Sequence, residues 1–415
     1  MHETDYDIAI VGGGMVGASL AIALGQASPA PRVVLLEAQD YSRHLPPSFD
    51  ARTIALAYSS RQIFDALQLW QPLLAQGITP IQTIHISDRG HAGITHLQAS
   101  EQHVEALGYV VENRLLGQVL YAALPALTQV TVLAPAELQS MTIGRDYAHL
   151  RGVRQGKTLE IRARLVVAAD GTHSFVRQYL GVAQRHWDYH QSAVIANVAC
   201  DQPHHNIAYE RFTSTGPMAL LPLSGIGDAP HRYGLVWTVP GAQSQAMLDL
   251  PEDEFISQLQ QRFGNRAGKF LRIGQRHAYP LGHTQIQEHV RHRLAFIGNA
   301  AHTLHPVAGQ GFNLGLRDVA ALAQVIHEAL RTAADPGDLT RLQTYARWRR
   351  RDLIQTSLFT DSLVRVFSTD ALPLVVARNI GLFAMECFAP LRKRLTRHAM
   401  GYVGRASLLA RGLGL

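Results

Sequence analysis

The chain has 415 residues, 47% of them apolar and 17% charged, which excludes a disordered polypeptide and exceeds what one compact core organises. Its formal net charge of +6 favours anionic partners, but no Lys/Arg run interleaved with aromatic residues stands outside the C-terminal tail, so nucleic acid is not expected. Cys200 and Cys387 form no CxxC pair, which argues against a disulfide scaffold, a structural zinc or an iron–sulfur centre and suits a reducing cytoplasm.

The acidic start MHETDYDIAIVGGG enters a strand at once, which predicts no secretion signal. DYDIAIVGGGMVGASLAIALGQ reads as a buried strand, a glycine turn and a helix, and RVVLLEA as the next strand, ending at Glu37. Gly12-x-Gly14-x-x-Gly17 lies between that strand and helix, and Glu37 follows Gly17 by 20 residues. Glycine permits the tight turn, lets backbone N–H groups reach a pyrophosphate at the helix N-terminus and brings helix close to strand. The acid accepts from a ribose hydroxyl. One dinucleotide site is predicted, and this motif alone fits a flavin or a nicotinamide nucleotide.

Residues 76–105 change to short alternating pieces, and RLLGQVLYAAL returns to helical spacing. RLVVAADGTHSFVR is a buried strand ending in Asp170-Gly171, followed by Ser174 and Arg177. From 185 to 285, alternation broken by Gly/Pro turns predicts a mostly antiparallel sheet. RLAFIGNAA is one more buried strand, and beyond it Val319, Leu322, Ile326 and Leu330 share a helix face. LPLVVARNIGLFAMECFAPL is interrupted by Arg378, Asn379 and Glu386 and is not expected to span a bilayer. The pattern is one α/β domain in three separated pieces, an inserted β-rich domain and a helical C-terminal region.

Three motifs stand in order along residues 5–330: Gly12/Gly14/Gly17, then Asp170/Gly171/Ser174/Arg177, then Gly298/Asn299/Ala300/Ala301/His302 with Pro306, Gly309/Gln310/Gly311, Asn313 and Asp318. Together they resemble the flavoprotein aromatic-ring monooxygenases of the para-hydroxybenzoate hydroxylase type. FDARTIALAYSS, HISDRGHAG and FTDSLVRVF are similar to the ubiquinone-biosynthesis branch, with SDRGHAG and GNAAHTLHP most similar to its 2-octaprenyl-6-methoxyphenol hydroxylases. The resemblance implies a Rossmann-like FAD-binding domain with a glutathione-reductase-like sheet (1–75, 106–184, 276–330), a substrate domain (76–105, 185–275) and a helical region (331–415).

It also implies FAD held by Gly12, Gly14, Gly17 and Glu37 at its adenosine end, with Arg52 and Gln118 along the pyrophosphate and ribityl chain. Asp170, Gly171 and Arg177 follow, with Gly298, Asn299, Gly309, Gln310, Gly311 and Asn313 near the ring. A surface ion pair is the lesser reading of Arg52, and Arg177 reads as a tether of its loop, as a contact for the reductant, or as a structural capping residue. The implied reaction hydroxylates a polyprenyl phenol with O2 and transient NAD(P)H, through a flavin C4a-hydroperoxide. Pro306 and His302 stand at the catalytic positions. His302 and His305 read as a base or as braces of the proline loop; HxxH in a glycine-rich turn lacks a helical frame and a third ligand, so no metal is expected. Asn299 stands where the family usually has Asp, keeping an acceptor and removing a charge.

Phe212, Leu220 and Trp237 are the substrate-wall candidates, by position alone. The tail LRKRLTRHAMGYVGRASLLARGLGL alternates basic and apolar residues. It reads as a surface-lying membrane or biosynthetic-complex contact, or as a helix packed on the protein. The chain is thus expected in the cytoplasm or peripheral to the inner membrane face. A sister hydroxylase acting on another ring carbon or on a soluble phenol, and a non-catalytic prenyl-lipid scaffold, are the other readings.

Overall fold

A computed structural model describes residues 4–40, 52–303, 310–367, 372–402 and 404–415. The apolar run Thr4–Val11 forms the centre of a parallel sheet, pairing with Val33–Leu36 on one side and Lys157–Ala168 on the other. Val130–Leu133 and Leu294–Phe296 extend the sheet outward in parallel. A central parallel strand is covered on both faces, which is why these segments are apolar without alternation. The helix Met15–Gly25 is buried continuously from Gly17 to Leu24, as a helix apolar all round must be.

The second sheet is largely antiparallel and runs in the order His302–Thr303, His277–Ile286, Gln184–Cys200, Arg232–Pro240, Gly216–Leu223, Ile207–Thr213, Thr83–Asp88 and Ile94–Gln98. His277–Ile286 pairs along Gln184–Cys200, so the β-rich part runs beyond the expected limit at 275. Thr79–Ile81 instead joins Thr53–Ala57 and Gly108–Glu112 in a small third sheet, so the first crossing comes after 81 rather than at 76.

The two faces of the large sheet have different neighbours. Leu220, Leu235 and Trp237 face the helix Glu252–Phe263 and pack on Phe255, Leu259 and Phe263. The opposite parity packs on the small sheet, where Ala208, Leu221 and Leu223 meet Ala55, Ile81 and Val110. Helices Gln310–Arg331, Leu339–Phe367, Leu372–Cys387 and Ala389–Ala399 complete the chain. The expected α/β domain with an interleaved β-rich part and a helical C-terminal region is the fold observed.

Candidate cofactor and active site

All three sequence motifs, with Glu37, meet at the carboxyl ends of adjacent parallel strands, where open α/β sheets bind their ligands. Gly12 follows Val11, Glu37 follows Leu36, Asp170 lies two residues past Ala168, and Gly298 lies two residues past Phe296. Gly12 adopts φ +101°, and a Cβ there would lie 2.6 Å from the backbone of Ala169. A Cβ on Gly17 would lie 1.9 Å from the Gly12 carbonyl oxygen, so only glycine lets the helix start beside the turn.

Beyond this packed turn the cradle is open. Among the described residues, a Cβ built on Gly14, Gly171 or Gly311 meets nothing within 4 Å. Gly14 caps the helix without a side-chain acceptor, and no acid stands in its first turn, so the N–H groups there can receive an anion. The buried Glu37 carboxylate accepts from Gly13 N at 2.7 Å and from Gln39 N at 2.8 Å. A carboxylate has about four lone-pair sites, leaving capacity for hydroxyl donors. Tyr121 donates to Gly13 O at 2.7 Å; only the folded chain reveals this contact, 108 residues apart.

Asp170 accepts from Val176 N at 3.0 Å through Oδ2, whereas its buried Oδ1 has no partner among the described residues. Burial pushes its carboxyl upward. The open, N–H-rich cradle suits the pyrophosphate of FAD, and the orphaned acceptor suits one of its sugar hydroxyls. The residues present therefore fit FAD.

Arg177 is buried, donating to Ala300 O at 3.1 Å and Thr172 O at 2.6 Å, so it tethers the Asp170 loop to the Gly298 turn. Ser174 caps its short helix by accepting from Arg177 N. Exposed Arg52 donates to Tyr279 Oη at 3.2 Å, across the junction between the small and large sheets. Gln118 is half-buried one helical turn before Tyr121. Asn299 is exposed in the turn Gly298–Ala300.

The buried Asn313 side chain is committed within the protein, accepting from Ala57 N and Ser60 Oγ and donating to Ala55 O. It locks the helix start to the small sheet. Pro306 and Gly309 lie outside the described residues, and Gln310 opens the helix Gln310–Arg331.

His302 is enclosed rather than presented to the cradle. Its Nε2 lies 2.7 Å from Asp318 Oδ2, which also accepts from Gly298 N, and Asp318 Oδ1 accepts from Arg349 Nε at 2.6 Å. Arg349 and Arg317 both reach Asp352. Burial would raise the Asp318 carboxyl, but His302 and Arg349 outweigh it and hold it below the usual carboxylate range. This geometry supports the bracing reading of His302.

Two substrate-wall expectations are corrected. Leu220 and Trp237, at 0% and 2% exposure, belong to the helix-covered core face. Phe212 has the other parity but lies beneath Leu382. The face turned toward the small sheet carries the half-open side chains Ile195, Glu210, Ala219, Leu221 and Val236. Glu210 is the one acid of IAYERFT, and its alternation in phase with Ala208 and Phe212 is the sequence signal that assigns it to this face.

Glu37→Ala removes the anchor of Gly13 and the hydroxyl acceptor together. We expect at least a tenfold rise in the FAD dissociation constant, measured by flavin fluorescence quenching, with roughly 1–2 kcal/mol lost in stability.

A sequence model of the FAD binding domain family matches residues 5–357. The chain is 39% identical over 395 residues to the ubiquinone hydroxylase UbiL of Rhodospirillum rubrum, covering 95% of this chain and 89% of that protein. It is 32% identical over 402 residues to the 3-demethoxyubiquinol 3-hydroxylase of Escherichia coli, covering 97% and 100%. The crystal structure of p-nitrophenol 4-monooxygenase PnpA from Pseudomonas putida shares the fold, with a TM-score of 0.79 at 19% identity, covering 98% of this chain and all of that one.

Proposed function

Because the chain belongs to the FAD binding domain family of flavoprotein monooxygenases, we propose that it hydroxylates the aromatic ring of a polyprenyl phenol in ubiquinone biosynthesis. The overall change consumes the phenol, O2, NAD(P)H and a proton, and yields the ring-hydroxylated product, water and NAD(P)+. Bound FAD supplies the activation of O2 and delivers one oxygen atom to the ring.

The residues of the chain bind, orient and keep the site dry. The Gly12–Gly17 turn and the helix start hold the pyrophosphate, Glu37 the ribose, and Asp170 with Arg177 fixes the neighbouring loop. The half-open apolar row Ile195, Ala219, Leu221 and Val236 excludes water from the reacting ring. The observation that carries this reading is the convergence of the three motifs and Glu37 at the carboxyl ends of adjacent strands. The test is direct. Purified chain should carry FAD and oxidise NAD(P)H faster when a prenylphenol is added; chain that cannot be reconstituted with FAD refutes the proposal. Prenylphenols differing in ring substitution then assign the carbon.

We further propose that the C-terminal helices rest on an anionic lipid surface, where a polyprenyl substrate resides. No helix among the described residues is long and apolar enough to cross a membrane. Val376, Ile380 and Phe383 form a stripe of 49%, 63% and 67% exposure, continued by Phe388 and Leu391. Exposed Lys393, Arg394 and Arg397 lie beside it, while Leu395, Thr396 and Met400 pack inward. An apolar stripe flanked by cations matches an interfacial helix. Ile380→Glu with Phe383→Glu should weaken sedimentation with phosphatidylglycerol vesicles by about tenfold or more, leaving turnover of a short-chain soluble phenol unchanged. Unaltered vesicle binding would refute the contact.

A further inference from the structure

Resting on that reading of the site, we propose that Glu210 is a catalytic base that takes the hydroxyl proton of the substrate phenol.

Its placement follows from strand register. Glu210 stands opposite Ile86 on one neighbouring strand and Ala219 on the other; Ala219 stands opposite Val236, and Val236 opposite Ile195. Directly opposed residues share a face, so these five form one row across the sheet. Two residues further along the same face, a Cβ on Gly234 would lie 2.9 Å from Thr53 Oγ1, so this face looks onto the small sheet. Ala55 and Ala57 of that sheet hold Asn313 and thereby the start of Gln310–Arg331. In the other direction Phe212 is capped by Leu382. Glu210 thus lies in the gap between the small sheet and the capping helix, on the half-open side of a sheet whose other side is sealed.

Among the described residues, nothing in this row neutralises it. Ala219, Val236, Ile195 and Ile86 are apolar, and the Glu210 carboxylate has no hydrogen-bond or ion-pair partner there. Asp88, an acid of the same parity, is occupied by Arg378 and Asn379. Burial alone pushes the Glu210 carboxyl up to about 8. An unpaired carboxylate in an apolar row costs stability. Its retention is explained if a substrate hydroxyl supplies the missing donor.

The chemistry balances. A phenol ring attacks an electrophilic oxygen far more readily as phenolate, and a base of raised pKa is better matched to a phenol proton than an ordinary carboxylate. Glu210 takes the hydroxyl proton, and electron density moves into the ring. The ring carbon forms its bond to the oxygen atom that the FAD and O2 chemistry supplies. That carbon then loses its hydrogen as a proton when aromaticity returns, and Glu210 returns its own proton to the phenolate oxygen. The two electrons from NAD(P)H leave with the second oxygen atom as water.

The test compares the FAD-loaded chain with Glu210→Gln, and with Glu210→Ala as a second variant, on a series of ring-fluorinated prenylphenols of falling pKa. Glu210→Gln should bind FAD and be at least as thermally stable as the parent. Its hydroxylation kcat should fall about 10²-fold or more on the unsubstituted phenol, and the deficit should shrink steadily as the phenol becomes more acidic. NAD(P)H oxidation should continue, uncoupled from product. Full activity in both variants, or a deficit independent of phenol acidity, would overturn the assignment. Failure of the unsubstituted chain to hydroxylate any prenylphenol overturns the functional reading and this inference together, and is seen before any variant is made.

Discussion

Gly17→Ala is expected to yield a chain that does not retain FAD and is destabilised by about 3 kcal/mol or more. The added methyl would lie 1.9 Å from the Gly12 carbonyl oxygen, a backbone atom that cannot swing aside as a flexible side chain would. Relief requires the helix Met15–Gly25 to move away from the strand it follows. That helix is buried from Gly17 to Leu24, so the movement would unpack the centre of the first core. Gly14→Ala is the informative partner. Its methyl meets no atom of the described residues within 4 Å, so the fold should keep its stability to within about 0.5 kcal/mol. The same methyl would project into the cradle, and FAD affinity should fall. Thermal unfolding with flavin fluorescence separates the two; equal stability losses would contradict the packing account.

Asp318→Ala is the second large effect. It removes the acceptor shared by His302, Gly298 N and Arg349, leaving the buried Arg349 guanidinium, the His302 ring and a backbone N–H without that carboxylate. Breaking a buried ion pair in this way costs about 3–5 kcal/mol, or a fall of roughly 3–6 °C in Tm for a chain of this size. The pH sign is fixed by the depressed carboxyl. Its stabilising contribution is fully present above the unfolded carboxylate value near about pH 4 and is lost only as pH falls through the lower folded value. The stability difference between parent and Asp318→Ala should therefore be constant from about pH 5 to 8 and narrow only in strong acid. Narrowing near neutrality would show that another group carries the effect.

Much of this molecule is readable before it folds, because some of its chemistry tolerates few residue types. A turn at φ +101° against Ala169 needs glycine, and a helix beside it needs a second, so Gly12 and Gly17 announce the cradle in one dimension. Glu37 is visible because the second strand must end where the ribose lies. The alternation of GPMALLPL and RYGLVWTVP likewise declares strands with two distinct faces.

Alternation does not say which face is sealed. That choice is made by Glu252–Phe263, a helix that follows those strands and lies on the face of Leu220 and Trp237. The large aromatic residues consequently became core, and the smaller Ala219, Leu221 and Val236 were left to line the open side. His302 shows the same limit. Its motif position suggested chemistry at the ring, but Asp318, 16 residues on, and Arg349, from a different helix, enclose it. Long-range partners of this kind leave no local periodicity to read.

The central claim, a flavin-dependent insertion of oxygen into a polyprenyl phenol, is tested most directly by isotope. FAD-loaded chain supplied with NAD(P)H, a detergent-dispersed prenylphenol and 18O2 should give a ring-hydroxylated product carrying one 18O per molecule, with none acquired from 18O-labelled water. NAD(P)H consumption with no labelled product, or label arriving from water, would contradict it.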